Sequence, residues 1–452
     1  MKILYVGATH IAENISIGEI VRDEASFMKS NGHSVDMICA SKRFFPEHDM
    51  VEDLSMFDNL FVFEAKNAKE LLMNVDAQKI VRKDYDAYLF GDPEISMMLR
   101  FLLSNYWGKR VGVNAPEPIY GCHVLWSPGE MSSEQIDIKK CNDGFYPLYL
   151  SFVRDIVFWN SEFNMKMIRD ELVEMLKPSK VCSVLERNFV TNLVVPDMYL
   201  KERVIENKKS VTVRYGGRCD VGSTGVGGWK RVNEIAESMV MAKTMMKMKG
   251  IELVCKITIS VSDSEEGFNV LKSRFGSVID IESGMKKDKY VDCIRNDTDI
   301  FLCMSKEESF GLGNFEALFA GAIVIVKSEV WSDMIFKDYP LKFQMTDMIK
   351  HMANAICLVA SDLPGYYEKI SSYRMGAIDK YSKMSVFGTK MNVLQKEYDK
   401  KMDFVRKSNK FKMVEGFIAS GMSDDEIMKS FKNNSSVMKR FLRSCRKISE
   451  VS

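Results

Sequence analysis

Glu308 and Glu316 stand eight apart, and between them lies Phe310-Gly311-Leu312-Gly313. A carboxylate accepts hydrogen bonds from hydroxyl groups, so the pair suits the hydroxyls of a sugar and of a ribose. The glycines permit a tight turn with backbone close to a ligand. A helix expected to begin near Asn314 aims its free N–H groups at that turn, where an anion such as a diphosphate is favoured. Two glutamates at this separation mean nothing alone. The signal is the frame around them: a strand at 300–304, the Gly-rich turn, a helix, and an Ala320-Gly321 exit. The plain alternative is a helix N-terminus whose acidic residues only complement its dipole.

A second group is Tyr215-Gly216-Gly217-Arg218, followed by Trp229-Lys230-Arg231. Here a strand ends in glycines and then offers cations at the carboxyl edge of its sheet. Arg218 and Lys230 there can neutralise charge that develops on a diphosphate leaving group, and Gly217 joins Phe310, Gly311, Leu312 and Glu316 among the donor-binding positions. The Gly-rich insert at 221–228 leaves open whether Lys230 or Arg231 takes the second role. The competing reading is a solvated basic loop.

Strand-like and helix-like segments alternate along most of the chain, which predicts an α/β fold. Short apolar runs at 2–7, 34–39, 60–63, 87–90, 110–113 and 156–159 form one strand series. A second runs through 211–215, 254–259, 278–281, 300–304 and 322–326. Strands separated by helices predict parallel βαβ units with right-handed crossovers, covered on both faces. The expected division is a first lobe at 1–200, a linker near Val194-Val195-Pro196-Asp197, and a second lobe at 208–385. A closing helix at 386–400 and a helical tail at 401–452 follow. Ligands of open parallel sheets bind at the carboxyl ends of the strands, so two such lobes facing each other share a cleft.

The stretch from Ser305 through Glu308, Gly311 and Glu316 to Gly321 resembles the Glu-x7-Glu motif of GT-B glycosyltransferases, family 4 in particular. Asp299-Ile300-Phe301-Leu302 and Glu316-Ala317-Leu318-Phe319-Ala320-Gly321 resemble that family too. The resemblance implies two Rossmann-like lobes, a nucleotide-sugar co-substrate (a UDP-sugar favoured), no metal and no other cofactor. It implies transfer with retention of configuration. It also implies that Glu308 contacts donor-sugar hydroxyls, that Glu316 holds the ribose, and that the N–H groups of Phe310, Gly311 and Leu312 face sugar and phosphate. A Gly-Arg and a following Lys neutralise the leaving group in the family, which makes Arg218 and Lys230 the matching positions.

Weaker similarities extend the resemblance over about residues 1–398. Residues 8–19 lie where the family carries a glycine loop facing donor and acceptor, but only Gly18 remains of it. Asp155 to Phe163 is similar to a strand-and-cap segment, in which Ser161 reads as an N-cap and so as structure rather than catalysis. Phe387-Gly388-Thr389 to Tyr398 is similar to the helix that crosses back to the first lobe. Many relatives place a histidine near the acceptor after the strand at 110–113. Asn114-Ala115-Pro116-Glu117 stands there instead, and either Asp92 or Glu117, at expected strand ends, is expected to face the acceptor.

The totals constrain the rest. With 452 residues and a net charge of +1, the chain predicts two or three domains and no general affinity for polyanions. No apolar run is long enough for a membrane span, and residues 3–8 read as a strand rather than a signal-peptide core. Ten scattered cysteines without a Cys-x-x-Cys pair predict buried free thiols and a cytoplasmic protein. The tail departs from this balance: residues 401–452 carry twelve Lys or Arg and six Asp or Glu, a net of +6, leaving −5 for the remainder. A helix capped by Ser423 with Glu426, then a second bearing Lys439, Arg440, Arg443, Arg446 and Lys447, resembles a helix-turn-helix. That predicts double-stranded DNA as a partner and, as acceptor, a hydroxymethylated base of the kind bacteriophage enzymes glycosylate. The alternatives are a solvated helical hairpin, a basic face on an anionic membrane, and a cytosolic enzyme building a surface polysaccharide or glycolipid. A catalytically dead binding module would need the donor residues to be lost, and they are present.

Overall fold

The computed structural model describes residues 1–7, 16–44, 49–66, 68–76, 85–91, 119–124, 156–175, 186–217, 228–259, 265–431 and 436–451, with two short strands at 221–222 and 225–226 and a few single residues. The first sheet holds β1 (Lys2–Val6), β2 (Ser34–Ala40), β3 (Asn59–Phe63), β4 (Ala87–Phe90), β5 (Ile119–Val124), β6 (Ile156–Trp159) and β7 (Asn188–Val190). Its order is β3-β2-β1-β4-β5-β6-β7, and every pairing is parallel. The expected strand at 110–113 lies outside the described residues, and β5 was not foreseen from the sequence. Gly121 interrupts its apolar run for a packing reason: a Cβ there would stand 2.7 Å from Leu89 Cδ2 on the neighbouring strand.

In the second lobe β8 (Ser210–Gly217) is followed by a small antiparallel hairpin, β9 (Val221–Gly222) with β10 (Gly225–Val226). Then come β11 (Glu252–Ile259), β12 (Asp280–Ser283), β13 (Ile300–Cys303), β14 (Ile323–Lys327) and β15 (Lys342–Phe343). The sheet order is β12-β11-β8-β13-β14-β15, again all parallel. β14 is buried along its whole length, which is why its sequence Ile-Val-Ile-Val-Lys shows no alternation. Both sheets therefore change direction of growth beside their first strand, between β1 and β4 and between β8 and β13. That crevice is where open parallel sheets take ligands. The segment expected as a linker is packed: Leu193, Val194 and Val195 are buried, and the Val195 N–H donates to Tyr381 O at 3.1 Å.

The closing helix runs from Lys383 to Arg406, longer at both ends than 386–400. Ser382 caps it by accepting from Ser385 N–H at 3.2 Å. It lies on the helix Ser16–Ser30 of the first lobe. There Lys390 meets Glu24 at 2.8 Å, both side chains at most 2% exposed, and Phe387 meets Phe27 at 5.7 Å between ring centroids. Its last turns belong to another core, in which Met402 and Val405 join Phe411, Val414, Ile427, Met438, Phe441 and Cys445. The tail helices Asn409–Ala419, Asp424–Ser430 and Ser436–Val451 build this module. Ser423 and Glu426 form the reciprocal cap the sequence implied. No described helix is long and apolar enough to cross a membrane, and the cysteines among the described residues are free and buried.

A buried ion pair costs most when one partner is deleted, because the other charge is left without compensation. Lys390→Ala is expected to destabilise the protein by about 3–5 kcal/mol, whereas the paired change Glu24→Leu with Lys390→Met should be close to neutral. Denaturant unfolding of the three proteins measures this. Equal losses in single and double variants would mean that the pair does not fasten the closing helix to the first lobe.

Candidate active site

The donor-side motifs meet at the crevice between β8 and β13. β8 delivers Gly216 and Gly217 at its carboxyl end, and β13 runs into the loop at 304–311. Gly216 is demanded by its neighbour, since a Cβ there would collide with the Tyr290 hydroxyl. Arg218, Asp92, Asn114 and Glu117 lie outside the described residues, so their expected roles have no geometry here. Gly18 is buried in the first turn of the helix Ser16–Ser30, after β1.

The loop leads into the helix Leu312–Phe319, two residues earlier than expected. Gly311 precedes it with φ 76°, a left-handed conformation that costs a glycine little. A side chain there would also press on Asn314 Nδ2 at 2.9 Å and the Trp331 ring at 3.2 Å. The N–H groups of Phe310, Gly311, Leu312 and Gly313 have no hydrogen-bond partner among the described residues. Those of Gly311, Leu312 and Gly313 are among the orphan donors that every helix start leaves, that of Phe310 comes just before them, and with the helix dipole they favour an anion. The loop's carbonyls are instead held from outside. Trp331 Nε1 donates to Ser305 O at 3.0 Å, Arg231 Nη1 to Met304 O at 3.3 Å, and Ser161 Oγ to Ser309 O at 2.6 Å.

Glu308 sits in this loop as one half of an ion pair. Lys230 Nζ donates to its Oε1 at 2.5 Å, and Ser305 Oγ donates to the same oxygen at 2.8 Å. Lys230 and Arg231, adjacent in sequence, meet different carboxylates. Arg231 takes φ 55° at the start of the helix Val232–Lys247, a conformation uncommon outside glycine. The turn sends the two consecutive cations apart, and Arg231 Nη1 bonds Glu329 Oε1 at 2.7 Å. Lys327, at the end of β14, pairs with the same Glu329. Three cations and two carboxylates thus surround the loop, and the sequence pointed to neither Lys327 nor Glu329.

Glu316 lies in the second turn of the helix, in a different cluster. Burial pushes its carboxyl up to about 7; the Lys287 ammonium opposes this, the Glu19 carboxylate adds to it, and a hydrogen bond with Tyr199 opposes it. Glu19 belongs to the first lobe and pairs with Lys287 of the second. These neighbours were missed because their signals are single residues. Glu19 follows Gly18 on the first helix, and Lys287 and Tyr290 lie just beyond the carboxyl end of β12. The basic tail residues lie elsewhere. Arg443 bonds Asp86 at 3.0 Å, and Asp86 also accepts from Lys2 N–H at 2.8 Å. Arg446 bonds Asp424 at 2.7 Å, and Lys439 is exposed. Nothing is described of the side chains of Arg440 and Lys447. Asp86 and Lys2 stand at the amino ends of β4 and β1, so the tail is seated on the sheet edge opposite the one that opens to the crevice.

Solved structures with the same architecture include glycosyltransferases. The chain has the GT-B fold. HepE from Anabaena, solved with UDP and glucose, superposes with a TM-score of 0.59 at 12% identity, covering 88% of this chain and 100% of that one. WaaG, a glycosyltransferase involved in lipopolysaccharide biosynthesis, gives 0.57 at 12% identity over 88% of this chain and 98% of its own. Sucrose-phosphate synthase from Thermosynechococcus elongatus gives 0.60 at 14% identity over 88% and 99%. No family model and no curated protein matches the sequence.

If Glu316 holds the ribose, as the family resemblance implies, its raised carboxyl makes ligand affinity depend on pH. Below about pH 7 its carboxyl carries a proton, and above it the carboxylate offers only acceptors to a diol. UDP-glucose, whose diphosphate is esterified at both ends, does not itself titrate near neutrality. Its affinity should therefore rise from pH 6 to pH 8, by up to about tenfold if only the carboxylate form binds. Calorimetry across that range measures it. A flat profile, or a slope that survives in Glu316→Gln, removes Glu316 from the site.

Proposed function

We propose that the chain is a glycosyltransferase that moves a sugar from a nucleoside diphosphate, a UDP-sugar favoured, to an acceptor hydroxyl in the cleft. One juxtaposition carries this reading: at the start of the helix Leu312–Phe319 stand four amide N–H groups without a partner among the described residues, and the loop before it carries Glu308 in contact with Lys230. Cation, amides and helix dipole together suit a diphosphate, and Glu308 and Glu316 supply acceptors for sugar and ribose hydroxyls. The UDP held by HepE supports the choice of nucleotide.

In the reaction, the bond from the anomeric carbon to a diphosphate oxygen breaks, and that oxygen keeps the electron pair. The acceptor oxygen forms the new bond, and its proton passes to the departing diphosphate. Negative charge grows on the diphosphate as the bond breaks, so cations placed there stabilise the transition state more than the ground state. Lys230 and Arg218 are assigned that role, and retention of configuration is the expected outcome.

For the acceptor, a saccharide or glycolipid hydroxyl is favoured over a hydroxymethylated DNA base. Arg443 and Arg446 are engaged in ion pairs within the chain, and Arg443 anchors the tail on the edge away from the crevice. A duplex held on that tail would lie on the far side of the first sheet from the donor. The lipopolysaccharide role of WaaG is consistent with a surface glycan as acceptor.

Two measurements test these assignments. Lys230→Met should lower turnover of the nucleotide sugar by about 10²–10³ while changing its Kd much less. An effect confined to Kd would make Lys230 a ground-state ligand only. A panel of nucleotide sugars, assayed for hydrolysis and for transfer to glycolipid, polysaccharide or hydroxymethylated duplex DNA, identifies donor and acceptor. The full chain is expected to bind duplex DNA weakly at every salt concentration. Tight binding that falls steeply with salt, flattens on removal of residues 408–452, and accompanies transfer to the DNA would reinstate the base as acceptor.

A further inference from the structure

We infer that Ser161, a first-lobe residue that the sequence marks only as a helix cap, is a positioning residue for the donor loop of the second lobe. The inference rests on reading the loop at 305–311 as the donor site. Ser161 is 1% exposed and follows β6. Its Oγ does two things at once. It accepts from Asn164 N–H at 3.2 Å, which caps the helix Glu162–Met175, and it donates to Ser309 O at 2.6 Å across 148 residues of sequence. A hydroxyl carries one hydrogen and two lone pairs, so a single oxygen can satisfy both bonds.

The second bond matters because a peptide unit is planar and trans. The Ser309 carbonyl and the Phe310 N–H belong to the same plane and point in opposite directions. Holding that carbonyl fixes the direction of the first of the four unpartnered amides. Of the loop's other held carbonyls, those of Met304 and Ser305 are gripped by Arg231 and Trp331 and that of Gly311 by the Asn314 N–H, all of the loop's own lobe. Among the described residues, Ser309 is where the grip comes from the opposite lobe. Donor affinity is thereby tied to the relative placement of the lobes through one hydroxyl. A helix cap by itself would not need this bond, since asparagine or aspartate caps as well as serine.

The test separates the two duties. Glycine is nearly as good an N-cap as serine, and alanine is a poor one, but neither can donate to Ser309. Threonine keeps both bonds. UDP binding is measured by calorimetry and Tm by thermal unfolding, on the full chain. Ser161→Ala and Ser161→Gly should both weaken UDP by about tenfold, although Ala lowers Tm more than Gly. Ser161→Thr should bind as the wild type does. If Ala and Gly bind UDP with wild-type affinity while Tm falls, Ser161 is a helix cap only and the inference is wrong. Should neither variant fold, Ser161→Cys preserves the shape with a weak S–H donor; weakened UDP binding in it supports the inference and unchanged binding overturns it. If the wild-type chain binds neither UDP nor any other nucleoside diphosphate, the donor-site reading itself fails and takes this inference with it.

Discussion

The site depends on a helix of eight residues, Leu312–Phe319, which is too short to stand in water on its own. It exists because its carboxyl end and one face are held. At its carboxyl end the buried Arg374 donates to Leu318 O at 2.9 Å and to Phe319 O at 2.8 Å, and also to Lys201 O at 2.9 Å. A cation there satisfies orphan carbonyls and complements the negative pole of the dipole. The buried face is aromatic: Phe315 stacks on Phe336 at 4.6 Å and meets Tyr381 edge-on at 4.6 Å. With one end and one face occupied, the free amides at the other end are what remains for a ligand. The helix Leu363–Lys380, which carries Arg374, thus stabilises an element whose far end presents the free amides.

The sheet order explains why motifs some ninety residues apart in sequence come together. A right-handed crossover from β8 fills one side of the sheet through β11 and β12, and β13 then returns to pair with β8 on the other side. Ile300 lies opposite Val213, and Phe301 opposite Arg214. Both strands therefore release their loops at the same point. The glycine turn after β8 and the glutamate loop after β13 are neighbours because of that reversal. Arg214 itself is buried below the crevice and bonded to Thr298 and Thr258, so it supports the floor rather than lining the site.

The strand series and the two-lobe division were legible because buried parallel strands are continuous apolar runs. That Glu308, Gly311 and Lys230 come near one another was legible because each lies in a turn beyond a strand or before a helix. Three kinds of feature were not. β5 was hidden by Gly121, whose need is set by Leu89 on another strand. The closing helix was read short because its last turns serve a second core, with Met402 and Val405 facing the tail. Glu19, Lys287, Tyr199 and Glu329 are single polar residues with no spacing to announce them; only folding brings them beside Glu316 and Arg231. Ser161 was legible as a cap and illegible as a cross-lobe donor, since the sequence shows where a hydroxyl is and not where its hydrogen goes. The tail's positive charge was counted correctly, but a count does not reveal that Arg443 and Arg446 already have partners.

The bonds that join the lobes fall near the loop at 304–311 and the helix Leu312–Phe319. Ser161 holds the Ser309 carbonyl, Glu19 pairs with Lys287 beside Glu316, and Val195 N–H bonds Tyr381 O, whose ring packs on Phe315. The closing helix adds a buried link through Lys390 and Glu24 on the helix that carries Glu19. A relative movement of the lobes must therefore change the amide at Phe310, the charge balance around Glu316, or the packing under the donor helix. Packed interfaces of this kind favour discrete arrangements over continuous drift. The first lobe thus supplies part of the bonding that shapes the loop at 304–311.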